Sequence, residues 1–113
     1  MSAREQCWII ATTEDEARLP EDVRARKELA DRHHAFIDQL DARGLLVAHG
    51  SARDEQGVRV GPGYIVIRAA TRAEAESVAL REPYIASGVR RLQLIPWQVQ
   101  LGRSLRPFVE AES

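Results

Sequence analysis

The most promising chemistry lies in a pair of histidines. Histidine changes charge near neutral pH, which makes it the first candidate for acid–base work, and His33 and His34 are adjacent in a segment with helical apolar spacing. At about 100° per residue, His33 falls inside the stripe of Leu29, Phe36 and Leu40, and His34 falls at its margin. A buried imidazole needs a hydrogen-bond partner. Two interpretations of His33 follow: a core histidine bonded to a backbone carbonyl, or a functional group beside a cleft.

A second candidate is the segment Glu82-Pro83-Tyr84. Pro83 disfavours helix for the residue before it and should end a preceding helix nearby. An acid in that position can reach into a cleft, and Tyr84 can supply a hydroxyl. Taken alone, however, Glu82 is more typical of a solvated surface acid, and Tyr84 of an aromatic side chain that packs on a sheet.

Motif spacing excludes several classes of site. The sequence has no phosphate-binding loop, no dinucleotide-binding glycine pattern and no nucleophile elbow. Metal-ligand spacing is also absent, since adjacent histidines on a helix point about 100° apart. We therefore expect no cofactor and no metal. Cys7, the single cysteine, is expected to be a buried strand residue.

Composition limits the partners and the compartment. The 113 residues carry 16 basic and 17 acidic side chains, a balance that argues against nucleic acid and membrane surfaces as partners. One cysteine cannot form an internal disulfide, and the polar first residues lack a secretory pattern, so we expect a cytoplasmic protein. The length suits one domain, which we place at 1–102, followed by a tail at 103–113.

The apolar pattern predicts the element order β-α-β-β-α-β, an α+β fold of the ferredoxin-like type. A capping box, Thr71 to Glu74, should begin the second helix. Gly44 should end the first, which begins near Pro20. The fourth strand changes its alternation at Pro96, which predicts a bulge or an edge position. The predicted strands cover 7–11, 45–49, 64–68 and 89–101, and the predicted helices 20–43 and 71–82, with a loop or hairpin at 50–63.

The first three strands are apolar on both faces. Cys7 and Ile9 point to one side of the first strand, while Trp8 and Ile10 point to the other. Two helices can cover only one face of a four-stranded sheet, and a large exposed apolar face is unusual in a monomer. We therefore expect a homodimer, or a higher oligomer, packed sheet to sheet. The alternative is that the C-terminal tail folds over this face.

Three segments together resemble a known family. They are His33 with the stretch 44–50, the strand segment 63–67, and Glu82-Pro83-Tyr84-Ile85 with Gly88-Val89. In this order and spacing they resemble the YciI-like (YCII-related) proteins, and Ile95-Pro96-Trp97 looks like the K-P-F segment of that family's fourth strand. The resemblance covers roughly residues 6–101.

The resemblance implies a dimeric ferredoxin-like α+β barrel and a histidine–aspartate pair in a cleft, in a family whose activity is largely undefined. His33 matches the family's histidine, and Glu82 stands at the aspartate position, one methylene longer. Tyr84 and Gly88 match the turn, and Arg26 is similar to a family arginine.

The sequence therefore favours an enzyme in which His33 is the general acid–base and Glu82 fixes its tautomer. The expected ligand is a small organic molecule, with Arg26, His34 and Tyr84 as binding residues. The alternative is a non-catalytic dimer that only binds a small molecule. A third interpretation is a structural dimer whose histidine belongs to the core.

Overall fold

The computed structural model describes residues 5–14 and 18–104. It has the predicted α+β architecture, with one short additional helix before the last strand. The elements in chain order are β1 (Glu5–Glu14), α1 (Val23–Ala42), β2 (Leu46–Arg53), β3 (Arg59–Arg68), α2 (Arg72–Ala79), α3 (Pro83–Ala86) and β4 (Arg90–Val99).

The four strands form one antiparallel sheet in the order β2-β3-β1-β4. Side chains from β1 and β3 meet the apolar faces of α1 and α2 to form the core. The core residues are Trp8, Ile10, Ile37, Leu40, Ile65, Ile67, Ala75, Val78 and Ala79. Because strand side chains alternate, the odd-numbered residues of β1 lie on the other face of the sheet.

Helix α1 ends where the sequence predicts, because Gly44 has a φ of 71°, a conformation that favours glycine. It begins at Val23 rather than near Pro20. The carboxylate of Asp22 accepts a hydrogen bond from the backbone N–H of Arg24 at 3.1 Å and so caps the helix at that point.

The segment 50–63, predicted as a loop or hairpin, is a hairpin in which most residues belong to β2 and β3. The turn is held by the carboxylate of Asp54, which accepts hydrogen bonds from the N–H groups of Gln56 and Val58. The register of the pairing between β2 and β3 is irregular between Ser51 and Arg53. The hairpin makes Arg53 the cross-strand partner of Arg59.

Strand β4 lies at the sheet edge, as one of the two predicted alternatives requires, but the predicted bulge at Pro96 is wrong. The pairing with β1 is continuous from Glu5 opposite Val99 to Glu14 opposite Arg90. The change in the alternation of apolar residues along β4 has another cause, because the strand carries apolar residues on both faces. Leu92 and Leu94 pack against the helix-side core, whereas Ile95 and Trp97 lie on the opposite face of the sheet.

The predicted capping box is present at the start of α2. The hydroxyl of Thr71 accepts a hydrogen bond from the N–H of Glu74 at 3.2 Å, and the carboxylate of Glu74 accepts one from the N–H of Ala70 at 3.1 Å. We expect Thr71→Ala to lower the free energy of unfolding by about 1 kcal/mol, as for other N-cap hydroxyls. Urea denaturation measures this, with Thr71→Ser as the control. An equal loss in both variants would contradict the capping role.

The face of the sheet away from the core is also apolar. The register places Trp97 opposite Cys7 and Tyr64 opposite Ala11 on this face. Cys7 and Ala11 are buried, whereas Trp97 is 44% and Tyr64 42% exposed.

Most of the predicted tail, from residue 105 onward, lies outside the described residues. In the described part of the chain, no helix is both long and apolar enough to cross a membrane.

Candidate functional site

The centre of the candidate site is a contact between α1 and the segment before α3. Nδ1 of His33 lies 2.6 Å from Oε1 of Glu82, although the two residues are 49 positions apart. The His33 side chain is 17% exposed and the Glu82 side chain 0%. The interpretation of Glu82 as a solvated surface acid is therefore wrong.

Local sequence explains how Glu82 is buried without being unsatisfied. Pro83 occupies the first turn of α3, where its fixed φ is favourable, and Glu82 is the N-cap. Its Oε2 accepts a hydrogen bond from the N–H of Ile85 at 2.9 Å. One carboxylate oxygen thus fixes the side chain to its own helix, which leaves the other directed at His33.

The electrostatics of the pair determine which atom carries the proton. Burial alone would raise the pKa of Glu82. However, the hydrogen bond from His33 and the N–H groups of Ile85 and Tyr84 together hold that pKa below its ordinary value. Glu82 is therefore a carboxylate at neutral pH, and a carboxylate can only accept. It follows that Nδ1 of His33 donates, so in the neutral ring the lone pair lies on Nε2.

Two aromatic contacts fix the orientation of the histidine ring. The ring of Tyr84 lies 5.2 Å from that of His33, and the guanidinium of Arg90 lies 3.8 Å from the centre of the Tyr84 ring. His34 contacts His33 edge to face at 5.5 Å. His33 is therefore held by a carboxylate on one nitrogen and by packed rings beside it.

His33 lies in the wall of a cavity of about 390 Å³, between the helices and the hairpin. This volume is within the usual range for small-molecule sites. Two predicted binding residues, His34 and Tyr84, also line it, together with Thr12 and His49. The cavity thus places an imidazole, held on one nitrogen by a carboxylate, beside space for a small organic molecule.

Three arginines, Arg53, Arg59 and Arg90, line the same cavity. Arg26, which the sequence predicted as a binding residue, does not. It is exposed at the start of α1, where its guanidinium donates to the carbonyl of Pro20. Within the described residues, no group of three or more histidine, cysteine, aspartate or glutamate side chains is placed to hold a metal ion.

The sequence interpretation missed several lining residues, chiefly the arginines of the hairpin. The sequence contains a signal for these two residues, because Arg53 and Arg59 stand on either side of the turn sequence Asp54-Glu55-Gln56-Gly57-Val58. Treating residues 50–63 as strands would have placed the two arginines opposite each other. Thr12 and His49 required the cross-strand register, which a single sequence does not provide.

A comparison with protein families identifies the class. The YCII-related domain matches residues 7–98, and the chain therefore belongs to the YCII-related family. No curated protein matches the chain.

Among solved structures, the chain is similar to 5-chloro-2-hydroxyhydroquinone dehydrochlorinase from Burkholderia phenoliruptrix, in complex with 2,5-dihydroxybenzoquinone. The TM-score is 0.59 with 15% sequence identity, over 87% of this chain and 97% of that one. This similarity establishes a shared fold, in agreement with the predicted ferredoxin-like α+β barrel.

Proposed function

We propose that this chain is an enzyme that moves a proton on a small organic molecule, with His33 as the general acid–base. Glu82 is the positioning residue that keeps His33 in one tautomer. The observation that carries the proposal is the 2.6 Å hydrogen bond between a fully buried carboxylate and a histidine in a cavity wall. Histidine is the side chain that most often serves as a general acid–base in enzymes.

The geometry favours abstraction of a proton by Nε2. When Nε2 takes a proton from a C–H or O–H group, the ring becomes an imidazolium, and the Glu82 carboxylate stabilises its charge. The electron pair left on the substrate either delocalises onto an oxygen or expels a leaving group. Dehydrochlorination, the activity named for the structural neighbour, is of the second kind, since a proton and a chloride ion are both lost.

Exchange with deuterated water tests the proposal without requiring the final product to be known. The probes are small acidic carbon compounds, including 5-chloro-2-hydroxyhydroquinone and simple β-keto acids, incubated with the full chain. We expect deuterium incorporation, or chloride release from the first probe, above the rate in buffer. A probe that saturates the protein and is recovered without deuterium or bond change would instead support the non-catalytic binding dimer.

We also propose that the chain works as a cytoplasmic homodimer in which two sheets pack face to face. The support is the second apolar face, where Trp97 and Tyr64 remain exposed in the single chain. An exposed face of this kind is most often covered by self-association. A second copy would also bury Ile95, which is partly exposed on the same face.

The dimer is testable by light scattering at micromolar concentration. We expect twice the mass of one chain, and we expect Trp97→Glu to shift the protein toward monomer because it would bury a charge in the interface. Gln98→Glu is the matched control, since Gln98 is exposed next to Trp97 on the opposite face of β4. A compact wild-type monomer would contradict the proposal.

A further inference from the structure

Two arginines lie directly opposite each other on the hairpin formed by β2 and β3. Arg53 on β2 and Arg59 on β3 are cross-strand partners, and both line the cavity that contains His33. Like charges directly opposite each other in an antiparallel pair are destabilising. A negative charge placed between the two guanidinium groups, from the protein or from a ligand, would relieve this repulsion.

In the part of the chain that the structure describes, the hydrogen bonds of the two arginines go to main-chain oxygens. Nη1 of Arg53 donates to the carbonyl of Gly57 at 3.0 Å, and Nε of Arg59 donates to the carbonyl of Gly61 at 3.3 Å. Both acceptors are neutral main-chain groups. Among residues 5–14 and 18–104, no carboxylate forms an ion pair with either arginine.

Gly63 lies directly beside the guanidinium of Arg59 in the cavity wall. A β-carbon at this position would lie 3.0 Å from Nη2 of Arg59 and 3.3 Å from the hydroxyl of Thr12. A larger residue would therefore require the guanidinium end of Arg59 to shift. The Thr12 hydroxyl already donates to the carbonyl of Gly63 at 3.3 Å, so the guanidinium of Arg59 is the donor that this glycine leaves beside the cavity wall.

We infer that Arg53 and Arg59 bind the negatively charged oxygen group of a small organic oxyanion, a carboxylate or an ionised phenol or enol. This inference rests on the proposed function in that it names the substrate class of the same cavity. The planar guanidinium matches such a group with two parallel N–H donors, which a lysine cannot do. The bound anion would also neutralise the repulsion between the two arginines.

Binding to the full chain, measured by calorimetry, tests the inference with two matched pairs of probes. Benzoate is compared with neutral benzamide, and the 2,5-dihydroxybenzoquinone anion with neutral 2,5-dimethoxybenzoquinone. We expect at least one anion to bind roughly tenfold or more tightly than its neutral counterpart. The double variant that carries both Arg53→Gln and Arg59→Gln should lose that preference. Preference for benzoate identifies a carboxylate site, and preference for the quinone anion alone identifies an ionised enol.

Three further measurements keep the result interpretable. Arg43 is an exposed arginine at the end of α1 and lies outside this cavity. As the control, Arg43→Gln should therefore leave anion affinity unchanged. Arg59→Lys keeps the charge but loses the planar fork, so it should bind the anion with intermediate affinity. Without ligand, Arg59→Gln should unfold at no lower a temperature than the wild type, whereas a merely structural arginine would lower that temperature.

The inference is wrong if neither anion binds more tightly than its neutral counterpart, or if the preference persists in the double variant. Because the readout is binding, it is independent of proton transfer. Anion binding without deuterium exchange would overturn only the proposed enzymatic function, and exchange without anion preference would overturn only the arginine site.

Discussion

Replacing His33 by glutamine is expected to lower the rate of proton exchange by about 10²–10⁴-fold, the usual contribution of a positioned general acid–base. Glutamine offers an amide donor to the Glu82 carboxylate, so the buried charge keeps a hydrogen bond. It cannot, however, accept and release a proton near neutral pH. The measurement is the exchange rate in deuterated water at saturating probe, compared with the wild type.

His34→Gln is the matched control for this experiment. His34 is the same residue type in the same cavity wall, but in the described part of the chain its side chain contacts the His33 ring rather than a carboxylate. We expect its rate to fall less than tenfold, a difference of under ~1.4 kcal/mol in the barrier. A His33→Gln rate like that of the wild type would remove His33 from the mechanism.

The fold was predictable wherever the information is local. Gly44 ends α1 and Thr71 begins α2 because backbone conformation and capping depend on residues a few positions apart. The position of His33 on the apolar side of α1 likewise follows from helical geometry alone. The element order follows from these local signals, which is why the α+β architecture was reached from the sequence.

The site was only partly predictable because it depends on contacts between distant segments. Glu82 is a surface acid by local criteria, and only the packing of α1 against α3 makes it a buried partner of His33. The resemblance to the YCII-related family supplied that pairing. The arginines of the hairpin depend on strand register, and the Gly- and Pro-containing sequence of 59–63 concealed the strand.

Removal of the Glu82 side chain is expected to have the largest effect on stability. Glu82→Ala leaves the N–H of Ile85 and Nδ1 of His33 without their acceptor and removes the cap of α3. We expect the free energy of unfolding to fall by about 2–3 kcal/mol. Urea denaturation near neutral pH measures this, and Glu76→Ala, an exposed acid on α2, should change it by no more than about 0.5 kcal/mol.

The pH dependence of stability distinguishes the charge of Glu82 from its shape. The pKa of Glu82 in the folded chain is lowered from its ordinary value of 4.5. The unfolded chain therefore takes up this proton first as the pH falls. The stabilisation is fully present above about pH 4.5 and is lost as the pH falls through the folded pKa. Glu82→Gln keeps an oxygen for Ile85 but has no charge to titrate, so its unfolding free energy should fall less steeply below that pH than the wild type's. Identical slopes in the two proteins would show that Glu82 is not held as a carboxylate by His33, and the proposed assignment of the proton to Nδ1 would then be wrong.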